Sequence, residues 1–334
     1  MNILFYCPFK FSLKSKNIKS LGGIESLNIE LTKYLSNQNN KIYLASFCNK
    51  KFKQGNLTNI PITELKSKKL SIKFDKIISS NDPSIFNHFK YSKNFLWMHN
   101  KLPIEKALRK KKFFSIIRNR ISAIFVSNYL LKKTSNIYNF KKKFVISNFL
   151  DPIFSNIKQK TKRKPYFVWS VQRQKGLREI LNIWIKKVYT VNPKAKLYIF
   201  GVDINSFNKK ETKNLLKHNI FLKGRVSKNK LKKYYSVSMG MICLGYDETF
   251  CINAIEAFSC GLPLITFGLT AVNELIDDRN SFKMNNFDEF DKKILKILDM
   301  SDFQRKQYIN YCYNFSKKYK IQKIIPFWKR VFNS

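Results

Sequence analysis

The sequence predicts an α/β protein made of two Rossmann-like domains, and three observations predict it. Strand-like apolar runs alternate with helix-like segments along the whole chain, as parallel βα units require. The 334 residues suit two domains, each large enough for a core of its own. A polar, basic stretch opening on Asp151-Pro152 divides the alternation into two sets.

In 1–150 the expected strands are Ile3–Cys7, Ile42–Phe47, Lys76–Ser79, Phe95–His99, Ala123–Ser127 and Phe144–Ser147. Leu27, Leu31 and Leu35 share one face of a helix over 24–35, and 105–121 and 129–135 are further helices. Residues 151–164 read as the linker. The second set, 165–320, opens with strand Tyr166–Ser170 and continues with helix 177–191 and strand Lys196–Gly201. Helix 209–218, strand Ile220–Leu222, helix 229–236 and the apolar run Met239–Leu244 follow, then a helix after Glu248 and strand Pro263–Phe267. The tail 321–334 carries the aromatics Phe327, Trp328 and Phe332, which could anchor one helix.

Composition excludes several classes. At 44% hydrophobic and 15% aromatic, the chain folds rather than remaining disordered. No apolar run approaches the ~20 residues of a membrane span, and the N-terminus has no signal-peptide pattern. The expected location is cytoplasmic, with peripheral association at the inner face of the membrane as an option. Six cysteines without Cys-x2-Cys spacing read as buried apolar residues, and three histidines without ligand spacing predict no metal site. The formal charge of +43 invites a nucleic-acid reading. It is spread evenly, however: 29 basic and 6 acidic residues lie in 1–150, and 35 and 15 in 151–334. No nucleic-acid motif accompanies it. Anionic membrane surface, diphosphate donors and lipid-phosphate acceptors are the other partners that such a charge suits. The segment 104–120 is basic and amphipathic, with Ile104, Leu108 and Ile116-Ile117 as its stripe, and could lie on such a surface.

The most informative stretch is Glu248-Thr249-Phe250-Cys251-Ile252-Asn253-Ala254-Ile255-Glu256, followed by Ala257-Phe258-Ser259-Cys260-Gly261-Leu262-Pro263. A strand, a loop carrying an acid and a helix N-terminus form the arrangement with which α/β folds hold phosphates. The amides of Thr249 to Ile252 would point at an anion, with Glu248 before the helix and Glu256 two turns inside it. This stretch resembles the Glu-x7-Glu motif of family 4-type retaining glycosyltransferases, within glycosyl transferases group 1. The resemblance implies the GT-B architecture: two Rossmann-like domains facing a cleft, with a C-terminal helix crossing back to the first. In that family the first Glu sits near the donor sugar, here Glu248, and the second binds the nucleotide ribose, here Glu256. A carboxylate can accept hydrogen bonds from both hydroxyls of a ribose diol.

Four further constellations gain meaning from the resemblance. Ser170-Val171-Gln172-Arg173-Gln174-Lys175-Gly176-Leu177 is a strand-to-helix turn with two cations, which could neutralise a departing diphosphate. The family places an Arg and a Lys here, although Arg173 and Lys175 stand closer together than its common spacing. Leu21-Gly22-Gly23-Ile24-Glu25 resembles its Gly-Gly loop, the paired glycines allowing positive φ near a phosphate or sugar. Leu96-Trp97-Met98-His99-Asn100 ends a strand where the family contacts donor sugar or acceptor, with Asn100 in place of the usual acid. Phe221-Leu222-Lys223-Gly224-Arg225-Val226 matches the turn that contacts the base through backbone groups. Thr266-Phe267-Gly268 with trailing Glu274 resembles a following glycine loop that lacks its second glycine.

The expected protein is thus a hexosyltransferase-type glycosyltransferase with no cofactor, taking a UDP- or GDP-sugar to a glycan or lipid-linked acceptor. By resemblance the reaction retains configuration, needs no metal, and serves cell-surface polysaccharide or lipopolysaccharide assembly. Arg173, Lys175, Glu248 and His99 are the expected catalytic group. Glu256, Thr249, Phe250, Cys251, Gly22, Gly23, Arg225 and Val226 are the expected donor contacts. A nucleotide-sugar epimerase of the same fold is the alternative within the fold; a non-catalytic polyanion or nucleic-acid binder is the alternative outside it.

Overall fold

A computed structural model describes residues 1–14, 21–38, 40–67, 72–89, 92–171 and 174–334 and divides the chain into two α/β units. Unit 1 comprises Met1–Asp151 and Ile321–Ser334; unit 2 is Pro152–Lys320.

Among the described residues unit 1 has eight strands: β1 (Asn2–Tyr6), β2 (Lys41–Ser46), β3 (Phe52–Gln54), β4 (Leu57–Pro61), β5 (Lys76–Ser80), β6 (Lys93–Met98), β7 (Ser122–Phe125) and β8 (Lys143–Val145). They stand in the order β3-β4-β2-β1-β5-β6-β7-β8, all parallel except the β3–β4 hairpin. The central strands are apolar throughout because helices cover both faces of such a sheet. Phe5 sits opposite Leu44 on one side and Ile78 on the other, all three fully buried. The chain winds outward from β1 in both directions, so the strand order reverses between β1 and β5.

Unit 2 repeats the plan with β9 (Tyr166–Trp169), β10 (Lys196–Phe200), β11 (Ile220–Gly224), β12 (Gly240–Ile242), β13 (Leu264–Thr266) and β14 (Ser281–Lys283). The order is β11-β10-β9-β12-β13-β14, wholly parallel, with its reversal between β9 and β12. The helical run from Leu177 to Val191 is continuous through a π-helical turn at Trp184–Val188. Helices Lys209–Lys217 and Asp302–Ser316 each start with a reciprocal capping box, Asn208 with Glu211 and Ser301 with Gln304.

The last helix, Ile321–Asn333, belongs to unit 1. Trp328 is 1% exposed and packs edge-on against Trp97 at 4.8 Å between ring centroids, with Phe5 at 6.3 Å and Phe332 at 6.0 Å. Phe327, expected beside them, faces outward and is 43% exposed.

Three expectations change. The segment 152–164 packs onto unit 2 instead of hanging as a linker: Phe154 is fully buried, and Arg163 donates to the carbonyls of Tyr235 and Cys260. Residues 104–120 form two short helices, Ile104–Arg109 and Lys112–Arg118, because Lys111 adopts a left-handed backbone at φ 53°. Ile116 of the expected outer stripe is buried, while Leu108, Phe114 and Ile117 are exposed. The hairpin β3–β4 and edge strand β14 are additions to the expected set.

Candidate donor site in unit 2

Ligands of open parallel sheets collect beyond the carboxyl ends of the strands where the order reverses. In unit 2 that point is flanked by the segments after β9 and β12. A small depression there is lined by Trp169, Val171 and Lys175 from the first segment and by Gly245, Tyr246 and Glu248 from the second. The ammonium of Lys175 stands 4.7 Å from the Tyr246 ring, a cation–π contact that joins the two loops. Arg173, the other expected diphosphate ligand, lies outside the described residues.

The turn that presents Lys175 depends on Gly176, whose φ of 83° is left-handed. A Cβ there would come 2.4 Å from Leu244 Cδ1 and 3.1 Å from Phe287 Cζ, so only glycine lets the turn close on the β12 segment. Behind it, the Asn253 side-chain amide donates to the Ser170 carbonyl and the Ser170 hydroxyl meets Tyr235 Oη at 2.5 Å. The end of β9 is therefore fixed by two neighbouring helices.

The Glu248 loop is held from its other side. Thr270 Oγ1 donates to the Gly245 carbonyl at 2.7 Å, and the Ala271 amide donates to the Glu248 carbonyl at 3.3 Å. Asp247, Cys251 and Thr270 all have positive φ, at 54°, 65° and 56°. Three non-glycine residues in this region within one loop pair represent stored backbone strain, which concentrates at functional sites. Left-handed Cys251 also delays the helix, which runs Ile252–Ser259. Thr249, Phe250 and Cys251 therefore precede it, and Glu256 lies one turn inside rather than two. Phe250 and Cys251 are buried, with the Cys251 and Cys243 sulfurs 3.5 Å apart. The Cys251 thiol is held well above its ordinary range, first by its hydrogen bond with Cys243 and then by burial.

Glu256 is only 2% exposed, and Lys228 Nζ lies 3.6 Å from its Oε1. Lys228 begins helix Lys228–Tyr235 directly after the Arg225-Val226 turn, so this ion pair ties the end of β11 to the Glu256 helix. Arg225 is exposed and Val226 half-buried at that turn. Lys228 and Tyr246 were not among the residues singled out from the sequence, and Asn253 stood in the quoted stretch without a role of its own. A buried glutamate calls for a counter-charge, hydrogen bonds or a proton, and which groups supply them is a matter of tertiary folding.

The expected residues of unit 1 are distributed differently. Gly22 precedes helix Gly23–Ser36 with φ −70°, and neither it nor Gly23 uses positive φ. Gly22 instead leaves room for the Glu25 carboxylate, which would lie 2.6 Å from any Cβ at that position. His99 is buried at 5% exposure, its ring 4.4 Å from that of Trp97. Burial pushes its pKa down to about 3, so the imidazole is neutral near neutral pH. In that state the ring can donate one hydrogen bond and accept another.

Residues 151–315 match the family model described as glycosyl transferases group 1. Among solved structures, TarM is similar at 13% identity and TM-score 0.74, the match covering 100% of this chain and 99% of that one. WaaG, a glycosyltransferase involved in lipopolysaccharide biosynthesis, is similar at 11% identity and TM-score 0.66, covering 94% and 95%. A mutant of S. aureus TarM in complex with fondaparinux, alpha-GlcNAc-glycerol and UDP is similar at 19% identity and TM-score 0.60. That match covers 78% of this chain, which spans 55% of the mutant chain. At these identities the likeness is one of fold. No curated protein matches. Residues 151–315 thus match glycosyl transferases group 1, and the two parallel-sheet units share the GT-B fold of these structures.

Proposed function

We propose that this enzyme transfers a sugar from a nucleotide-diphosphate sugar to a glycan or lipid-linked acceptor, with retention of configuration and without a metal. The observation that carries this reading is the convergence of Lys175 and Glu248 on the strand-order reversal of unit 2, with Glu256 buried one turn into the next helix. In this reading Glu256 accepts hydrogen bonds from the ribose diol. Lys175 and Arg173 neutralise the diphosphate as it leaves, and Glu248 with the neighbouring loop amides orients the sugar. Backbone groups at Arg225 and Val226 bound the base. UDP is the first donor base to test, since a structure of TarM holds it.

Cell-surface polysaccharide or lipopolysaccharide assembly is the pathway we infer, supported by the exposed apolar side chains of 104–120. Leu108, Phe114 and Ile117 are 43%, 64% and 41% exposed among Arg109, Lys110, Lys111 and Arg118. An apolar-and-basic face of this kind suits the headgroup region of an anionic membrane. No helix among the described residues is long and apolar enough to cross a membrane.

The experiment is proton NMR of the purified chain with UDP- and GDP-hexoses, with and without EDTA. Retention predicts that the first sugar released or transferred has the donor's anomeric configuration at an EDTA-insensitive rate. Inverted product contradicts the retaining reading, and turnover abolished by EDTA contradicts the metal-free one. An altered but still nucleotide-linked sugar is the epimerase result.

A further inference from the structure

Unit 1 contains a second pocket, on the carboxyl side of its own sheet. It is a cavity of about 190 Å³ just past the ends of β5 and β6, floored by Leu96 and Met98. Its polar lining is Asn81, Asn100, Lys101, Lys106, Lys110 and Lys112, and no carboxylate lines it among the described residues. The lysines come from separate places: Lys101 from the loop after β6, Lys106 from helix Ile104–Arg109, Lys110 from the break and Lys112 from the start of helix Lys112–Arg118. The left-handed Lys111 turn brings the last two to the same opening.

Two local features show what this cavity lacks. Asn81, itself left-handed at φ 61°, uses its Oδ1 to accept the amides of His99 at 2.8 Å and Asn100 at 3.2 Å. That assigns its Nδ2 as a donor, which is buried with no hydrogen-bond partner. A buried donor without an acceptor is costly unless a ligand completes it. Lys112 is half-buried, donating to the Asn81 carbonyl at 2.7 Å and standing 3.7 Å from Asp82. Burial holds its ammonium below the ordinary lysine range; Asp82 opposes this, while Lys110 and Lys106 reinforce it. Lys106 and Lys110 thus repel the Lys112 ammonium around an opening that no carboxylate lines among the described residues.

We propose that this pocket binds a phosphoryl group, and that it is the subsite by which the enzyme holds a phosphorylated acceptor. A phosphate oxygen fits an amide donor such as Asn81 Nδ2, and a dianion relieves the repulsion among the lysines. The apolar floor of Leu96 and Met98 suits the carbon skeleton next to the phosphate. The same chemistry is offered by a soluble sugar or polyol phosphate and by a phosphomonoester lipid headgroup. Assignment to the acceptor rests on the transferase reading above; affinity for a phosphoryl group does not.

The test is calorimetric titration of the full chain, without nucleotide, with inorganic phosphate and glycerol 3-phosphate, chloride holding ionic strength constant. Parallel flotation uses phosphatidylcholine vesicles with and without phosphatidic acid. The paired variant K106A/K110A removes two exposed side chains of the pocket, and K141A/K142A removes the same charge from exposed positions outside its lining. The proposal predicts saturable phosphate binding that K106A/K110A weakens roughly tenfold or more while K141A/K142A leaves it unchanged. Preference for glycerol 3-phosphate identifies a soluble acceptor, and preference for phosphatidic acid vesicles a lipid one; both support the pocket. Absence of saturable binding, or equal weakening by both variants, overturns it. UDP affinity measured on the same proteins separates the two readings: K106A/K110A binds UDP normally if the donor site is intact, whatever happens to phosphate.

Discussion

Lys228 Nζ lies 3.6 Å from Oε1 of Glu256, whose side chain is 2% exposed, and this pair connects the turn after β11 to the helix behind the Glu248 loop. Lys228 keeps a quarter of its side chain in solvent, so the pair is anchored at the carboxylate end. Removing the lysine takes a cation away from a buried carboxylate, whereas removing both charges together does not. Lys228→Met should therefore lower stability by about 2 kcal/mol or more, and Lys228→Met with Glu256→Gln should recover much of that loss. Urea denaturation of the two single variants and the double variant checks it; additive losses would show that the two side chains are not coupled.

Gly176 and Gly55 provide a controlled comparison of backbone strain with steric exclusion. Both are left-handed, at φ 83° and 55°, but a Cβ at Gly55 meets nothing within 4 Å, whereas one at Gly176 meets Leu244 at 2.4 Å. Gly55→Ala should cost about 1 kcal/mol from conformation alone. Gly176→Ala should cost roughly 1–3 kcal/mol more, through overpacking. It should also weaken nucleotide binding, because Leu244 and Tyr246 must move. Denaturation midpoints and UDP affinities of both variants decide the matter.

The depressed pKa of His99 predicts a direction for stability against pH. Its value falls from 6.5 unfolded to about 3 folded, so below about pH 6.5 the unfolded chain takes up a proton that the folded chain refuses. The stability from keeping His99 neutral is complete above that pH and is lost as pH falls toward 3. The slope approaches about 1.4 kcal/mol per pH unit. His99→Asn should flatten the urea midpoint between about pH 5 and 7 relative to the parent. The rate profile should show no limb near the ordinary histidine pKa that this variant removes.

Trp328 anchors the last helix on the sheet of unit 1. Trp328→Ala should destabilise by about 3–5 kcal/mol, since it removes a buried ring in contact with Trp97 and Phe332. Phe327→Ala, on the exposed side of the same helix, should change stability by under about 0.5 kcal/mol. Calorimetric unfolding of the two variants tests the pairing, and similar losses would contradict it.

The parallel sheets were legible because strands covered on both faces read as short, continuous apolar runs. Ile3–Cys7 and Tyr166–Ser170 announce β1 and β9 in this way, and the strand-then-loop position of Lys175 and Glu248 follows from it. The β3–β4 hairpin was not legible, since Phe52-Lys53-Gln54 at a sheet edge carries polar side chains and no apolar alternation. Periodicity suggested one helix over 105–121, but it is blind to the left-handed Lys111 that splits the segment and gathers the lysines of the unit 1 pocket. Cys251 shifted the start of the Glu256 helix for the same reason. Strand-end placement of His99 was visible, whereas its burial against Trp97 depends on packing across the sheet and against the C-terminal helix. The Lys228–Glu256 pair joins residues 28 positions apart through the fold, and no local pattern encodes it.

The most direct test of the donor site is calorimetric titration of the full chain with UDP, GDP and CMP in EDTA, repeated on Glu256→Gln and Lys175→Ala. The account predicts saturable binding of one nucleoside diphosphate, weakened roughly tenfold or more by each variant while the Lys175→Ala unfolding midpoint stays at that of the parent. Failure of all three nucleotides to bind, or binding that neither variant weakens, would contradict it.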